Sequence, residues 1–143
     1  MSEQGSWLHV RASGMDLALS NGDLREVVAM EPVSRLPGRP QGIQGVVIHQ
    51  GEFLPVLAWE DLPGCPVPAS APTAMAVLRP RLAVPIDRLI GMIDASSALV
   101  QALDEEDPSK AWSGGMLQAE GQDLRLLDPD RLVALLRRFR GDR

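Results

Sequence analysis

The chain has little that would let it carry out chemistry. Among its 143 residues there are one cysteine, Cys65, and two histidines, His9 and His49. A single cysteine excludes a disulfide framework within the chain. Two histidines on separate segments and one thiol do not supply the three or four spaced ligands of a zinc site, so no metal is expected. No Gly-x-Ser-x-Gly elbow, phosphate loop or Gly-x-Gly-x-x-Gly turn is present, and no cofactor or catalytic residue is expected. No apolar run approaches the ~18 residues of a membrane span, which speaks against direct membrane insertion. The opening MSEQGSWLHV lacks a basic region followed by an apolar stretch, so it does not read as a secretory signal. Basic residues are outnumbered, 14 against 19 acidic, for a net charge of -5. That argues against non-specific nucleic-acid binding, which needs a basic face. A soluble cytoplasmic protein is the default reading.

What is present is ordinary globular composition, 45% hydrophobic and 23% charged. A chain of this size makes one domain or two very small ones and buries roughly 68% of its unfolded surface. Its pattern is that of short strands. SWLHVRA and MDLALS flank the turn signal Ser13-Gly14 and predict a hairpin. LREVVAME suits a strand or a short helix, and Val27 with Val28 favours the strand. An extended loop rich in proline follows, from Pro32 to Gly42. The stretch GIQGVVIHQGEFLPVLAWEDL then predicts a second hairpin whose tip is His49-Gln50-Gly51-Glu52. Pro55 cannot donate to a ladder and is expected at an edge or bulge. The run Phe53 to Trp59 is apolar throughout, as in a strand caught between two cores.

PGCPVPASAPT reads as a stiff connector, and Cys65 within it as an inert thiol. AMAVLR, RLAVPI and RLIGMIDA follow, then the acidic loop DEEDPSKAWSGG, read as solvated, and the hairpin MLQAEGQDLRLL. Trp112 is expected as a core or inter-barrel anchor rather than an exposed aromatic. A terminal helix begins at Asp128-Pro129, with Asp128 as N-cap and Pro129 in its first position. Leu132, Leu135, Leu136 and Phe139 share one face, which predicts a docked helix rather than a membrane-surface one.

The chain also repeats itself. GVVIHQGEFLPVLAWEDL overlies GMLQAEGQDLRLLDPDRL without a gap, Gly45 on Gly115 and Gly51 on Gly121. At a slightly smaller offset Leu17 meets Leu82, Leu24 meets Leu89, and Val27-Val28 meets Met92-Ile93. Each half therefore carries a hairpin, a strand, an irregular loop and a second hairpin. A duplicated chain of short strands with glycine and proline turns predicts two small packed barrels with an apolar seam.

From about Trp7 to Leu136 the ordered series of motifs resembles the CheW-like domain, the coupling module of bacterial chemosensory arrays. The matching pieces are Glu26-Val27, SRLPGRPQGIQGV, GVVIHQGEFLPV, PIDRLIGMI and LRLLDPDRLVALL. The resemblance implies a mainly β fold of two packed five-stranded SH3-like barrels with a short C-terminal helix. The expected bounds are one domain over 7–140, subdomains at 7–62 and 73–132, and the helix at 129–140. It implies a non-catalytic adaptor, located in the cytoplasm and at membrane-associated receptor arrays. Its partners would be the cytoplasmic tip of a chemoreceptor and the regulatory domain of a CheA-type histidine kinase. Residue by residue, the implied contacts are Glu26, Ile48, His49, Gln50, Gly51 and Glu52, with Ile86 and Asp87 from the second half. The family's Asn-Leu-Arg-Gly tip reads Ile48-His49-Gln50-Gly51 here, so the charged five-donor fork of arginine is replaced by a neutral amide. That substitution keeps a second reading open: a scaffold that binds kinase or another array protein but no receptor. A small-ligand pocket in a β-barrel is the remaining alternative.

Overall fold

A computed structural model describes residues 6–68, 70–79 and 81–141. Hairpins dominate it. β1 (Ser6–Ala12) and β2 (Met15–Ser20) pair across the Ser13-Gly14 turn, and a short 3-10 turn leads into β3 (Leu24–Ala29). β4 (Ile43–His49) and β5 (Glu52–Leu57) form the second hairpin. β6 (Ala74–Leu78), β7 (Leu82–Ile86) and β8 (Arg88–Asp94) repeat the first three strands. β9 (Ala98–Gln101) precedes the hairpin of β10 (Ser113–Ala119) and β11 (Gln122–Leu127). The chain closes on α1 (Pro129–Gly141). No described helix is long and apolar enough to cross a membrane.

The strands form two sheets, ordered β8-β1-β2-β11-β10-β9 and β3-β6-β7-β5-β4. Each sheet draws on both halves of the chain. The repeat is carried into the detail of the ladders. The β4–β5 register shifts between Ile43 and Gly45, and the β10–β11 register shifts between Ser113 and Gly115. The parallel contact Val56–Ala83 corresponds to Leu126–Ala18. Gln50-Gly51 and Glu120-Gly121 make the same two-residue turn, with φ of 51° and 79° against 53° and 77°. Positive φ at both central positions is the type I′ signature that matches strand twist. Gly45 and Gly115 are needed for close approach: a Cβ on either would strike a backbone carbonyl, that of Ser34 or of Gln101.

The sheets do not close into complete barrels. On the six-stranded side β9 pairs with β10 over four residues. On the five-stranded side the equivalent place holds a single bridge, Ser34 to Val46, so β3 and β4 remain separate edges. Pro55 also departs from its expected place. It lies inside β5, an inner strand, opposite Val46. It is tolerated because Val46 turns both backbone groups to Ser34 at 2.8 Å, so no β4–β5 ladder bond is lost there.

Three apolar clusters fill the molecule. Val47, Leu54, Val56, Met75, Val77 and Ala83 make the core of one sheet. Ala18, Ile93, Leu117, Ala119 and Leu124 make that of the other. Between the sheets lies the largest cluster, including Leu57, Trp59, Ile86, Trp112 and Leu132. The run from Phe53 to Trp59 behaves as its composition predicts from Leu54 onward: Leu54 and Val56 enter the first core, Leu57 and Trp59 the seam. Phe53 is the exception and faces solvent. Trp112 is fully buried, and its indole N–H donates to the Pro63 carbonyl at 2.9 Å. α1 is capped as expected, the Asp128 carboxylate accepting from the Asp130 and Arg131 amides at 3.1 and 3.3 Å. Leu132 and Leu135 are buried beneath it, while Arg131, Arg137 and Arg138 stay exposed. The acidic loop is solvated at Asp104, Glu105 and Glu106. Asp107 instead caps a 3-10 turn, accepting from the Ser109 amide at 2.9 Å and hydroxyl at 2.7 Å.

Candidate partner interface

The β4–β5 hairpin brings together most of the residues singled out from sequence. Its type I′ turn exposes Gln50 and Gly51 at the tip. Strand alternation then sends Val47 and Leu54 inward and their neighbours Ile48 and Phe53 outward. Ile48 and Phe53 face each other across the ladder, 59% and 66% exposed. Phe53 was not among the expected contacts. The repeat itself carries the signal that identifies it. Ile48 and Phe53 align with Gln118 and Asp123, which also pair across a ladder. Two copies of one hairpin thus differ at the same outward-facing pair, one apolar and one polar. Core packing does not require the apolar version, which leaves two large hydrophobic side chains side by side in solvent.

His49 does not project freely from the tip. Its Nδ1 lies 2.9 Å from Glu31 and its Nε2 2.9 Å from Glu26. The hydrogen bond to Glu31, then that to Glu26, raises the imidazole pKa above its ordinary value. A carboxylate faces each ring nitrogen, and the two sit on opposite edges of the ring. Glu26 and Glu31 therefore do not converge on a shared point, and no group of three metal ligands occurs among the described residues. Glu52, the cross-strand partner of His49, turns to Arg25 at 3.8 Å and Arg81 at 3.7 Å. The rim of the apolar pair is thus polar and mixed in sign.

The second-half residues lie elsewhere. Ile86 is fully buried in the seam and offers no side chain to a partner. Asp87 is half-buried beside the β1–β2 turn, its amide donating to the Arg11 carbonyl at 2.7 Å. It borders a small cleft lined by Ser13, Gln44, Trp59, Pro72 and Pro85. Cys65 is half-buried, and burial pushes its thiol pKa up to about 12.

A model of the CheW-like domain family matches residues 6–137. No curated protein matches the chain. Among solved structures, the fold is similar to that of the scaffolding protein TtCheW from Thermoanaerobacter tengcongensis, with a TM-score of 0.72. That likeness covers 90% of this chain and 86% of the other at 13% identity, and it speaks to fold alone. With the family model spanning both sheets and most of the final helix, the chain belongs to the CheW-like domain family.

Proposed function

We propose that the protein is a non-catalytic scaffold of a chemosensory array, coupling a chemoreceptor tip to the regulatory domain of a CheA-type histidine kinase. It acts as one domain and reaches the membrane only through its receptor. Family membership over residues 6–137 supports the adaptor role. The observation that carries the choice of surface is the exposed Ile48–Phe53 pair, which the second hairpin replaces with Gln118 and Asp123. An outward apolar pair beside an exposed tip fits a protein surface. The contact set is Ile48, Gln50, Gly51, Glu52 and Phe53. His49 and Glu26 support it from behind, and Asp87 belongs to a second contact at the cleft between the sheets. Signal passes as a bias in the arrangement of the partners, without a chemical step.

The exposed, uncharged Gln50 favours a second reading, a scaffold that holds the kinase but no receptor. Binding of the purified chain to the cognate kinase regulatory domain and to the receptor tip, measured separately, decides between them. Binding to both supports coupling. Binding to the kinase alone supports the second reading. Binding to neither overturns both.

A further inference from the structure

The two halves close their sheets differently. In the second half Ala119 pairs with Ala98 at one end of a four-residue β9–β10 ladder. His49 is the repeat equivalent of Ala119, and on the side away from β5 no strand pairs with it. Its edge of β4 has the Ser34–Val46 bridge and the imidazole ring. The ring spans the gap, from Glu26 on β3 to Glu31 just beyond that strand.

The ring geometry sets a requirement on protons. Neutral imidazole has one N–H and one lone pair; imidazolium has two N–H groups. With a carboxylate oxygen 2.9 Å from each nitrogen, only the imidazolium donates to both. In the neutral ring a lone pair faces a carboxylate. We propose that His49, clamped between Glu26 and Glu31, is a pH-sensitive latch that closes the β3–β4 side of the five-stranded sheet and frees it when the ring loses a proton. The same hairpin carries Ile48 and Phe53, so the latch also sets how firmly that apolar pair is held.

The surrounding charges agree with this. From β5, Glu52 faces the same side but is engaged by Arg25 of β3 and Arg81. Glu26 and Glu31 are the charges in contact with the ring. The folded pKa is raised from 6.5, so the latch is fully made below 6.5 and is lost as pH rises through the folded value.

The test needs the intact chain and no partner. Nitrogen-15 spectra of the imidazole groups from pH 5.5 to 9.5 report the protonation of His49, identified by its loss in His49→Gln. Amide protection factors report the opening of β3 and β4. The expected result is a His49 midpoint above 6.5 with both nitrogens protonated below it. Protection at Val28 and Val47 then falls severalfold across that midpoint, while Leu117 and Leu124 in the second hairpin stay level. Glu31→Gln lowers the midpoint and moves the loss of protection with it; Glu26→Gln does the same to a smaller extent. Level Leu117 and Leu124 protection shows that each variant remains folded. A midpoint at or below 6.5, protection at Val47 that ignores the midpoint, or a midpoint unmoved in both variants overturns the latch.

Discussion

Trp59 and Trp112 meet edge to face across the seam, their ring centroids 5.7 Å apart. Trp59 enters from the end of β5, and Trp112 from the turn before β10. Each indole N–H is satisfied by a carbonyl beside the other half's strands or connector: Trp59 by Pro85 at 2.7 Å, Trp112 by Pro63 at 2.9 Å. The contact joins the halves through both apolar packing and hydrogen bonds that a buried carbonyl would otherwise lack.

Replacing either tryptophan by phenylalanine should therefore cost about 1–3 kcal/mol, the usual penalty for leaving a buried partner unsatisfied. Trp112→Ala should cost about 3–5 kcal/mol. The double phenylalanine variant should deviate from additivity because the rings touch. Urea unfolding of the four variants measures this, and strict additivity would show that the ring contact contributes nothing.

The two bulge glycines make a second prediction. Gly115→Ala combines a φ of 143° with a collision on the Gln101 carbonyl, whereas Gly45→Ala has no positive φ and meets the Ser34 carbonyl and the Val33 side chain. Gly51→Ala has open space and pays only for a φ of 79°. A collision with backbone should cost about 1–3 kcal/mol, and a left-handed backbone about 1–2 kcal/mol. The expected order of melting temperatures is wild type, Gly51→Ala, Gly45→Ala, then Gly115→Ala. Gly115→Ala melting above Gly51→Ala would contradict the steric account.

Much of this was legible in the sequence because it depends on local sterics. A glycine that meets a neighbouring carbonyl or a positive φ recurs in both halves, so Gly45–Gly115 and Gly51–Gly121 stand out on alignment. Asp128-Pro129 announces a helix start by the same local logic. Other features depend on distant partners. Nothing within Ala98–Gln101 marks a strand, since its Leu99 and Val100 are exposed and only β10 beside it gives it a ladder. The repeat shows which strands are equivalent, not that β1 and β2 join the second half's sheet. His49 looks like a tip residue until β3 brings Glu26 to it. Ile86 sits in a segment that resembles a contact motif, yet the pairing of β6 with β7 turns it into the seam.

Cys65 gives a prediction about reactivity. With its pKa pushed up to about 12 by burial, only about one thiol in ten thousand is ionised at pH 8. The folded protein should resist iodoacetamide for hours at that pH and be alkylated within minutes in urea. Rapid alkylation of the native chain, read by mass spectrometry, would mean that the Pro-rich connector opens readily.

The last prediction separates contact from support at the hairpin. Gln50 is exposed at a φ of 51°, a backbone that arginine adopts at the same cost as glutamine. Phe53→Asp installs the residue that the second hairpin already carries as Asp123, at a position 66% exposed. Both changes should leave stability within ~0.5 kcal/mol, as surface substitutions do. If the face is a contact surface, Phe53→Asp should weaken binding to the kinase regulatory domain by about tenfold, ~1.4 kcal/mol. Gln50→Arg should shift affinity for the kinase or the receptor tip severalfold, because it restores a charged five-donor fork at the turn. Calorimetric melting and titration on the same preparations read both quantities. Variants that bind like the wild type would make this face plain solvated surface. A variant that melts early would place Phe53 or Gln50 in the support of the hairpin rather than in its contacts, because binding would then fall through folding alone.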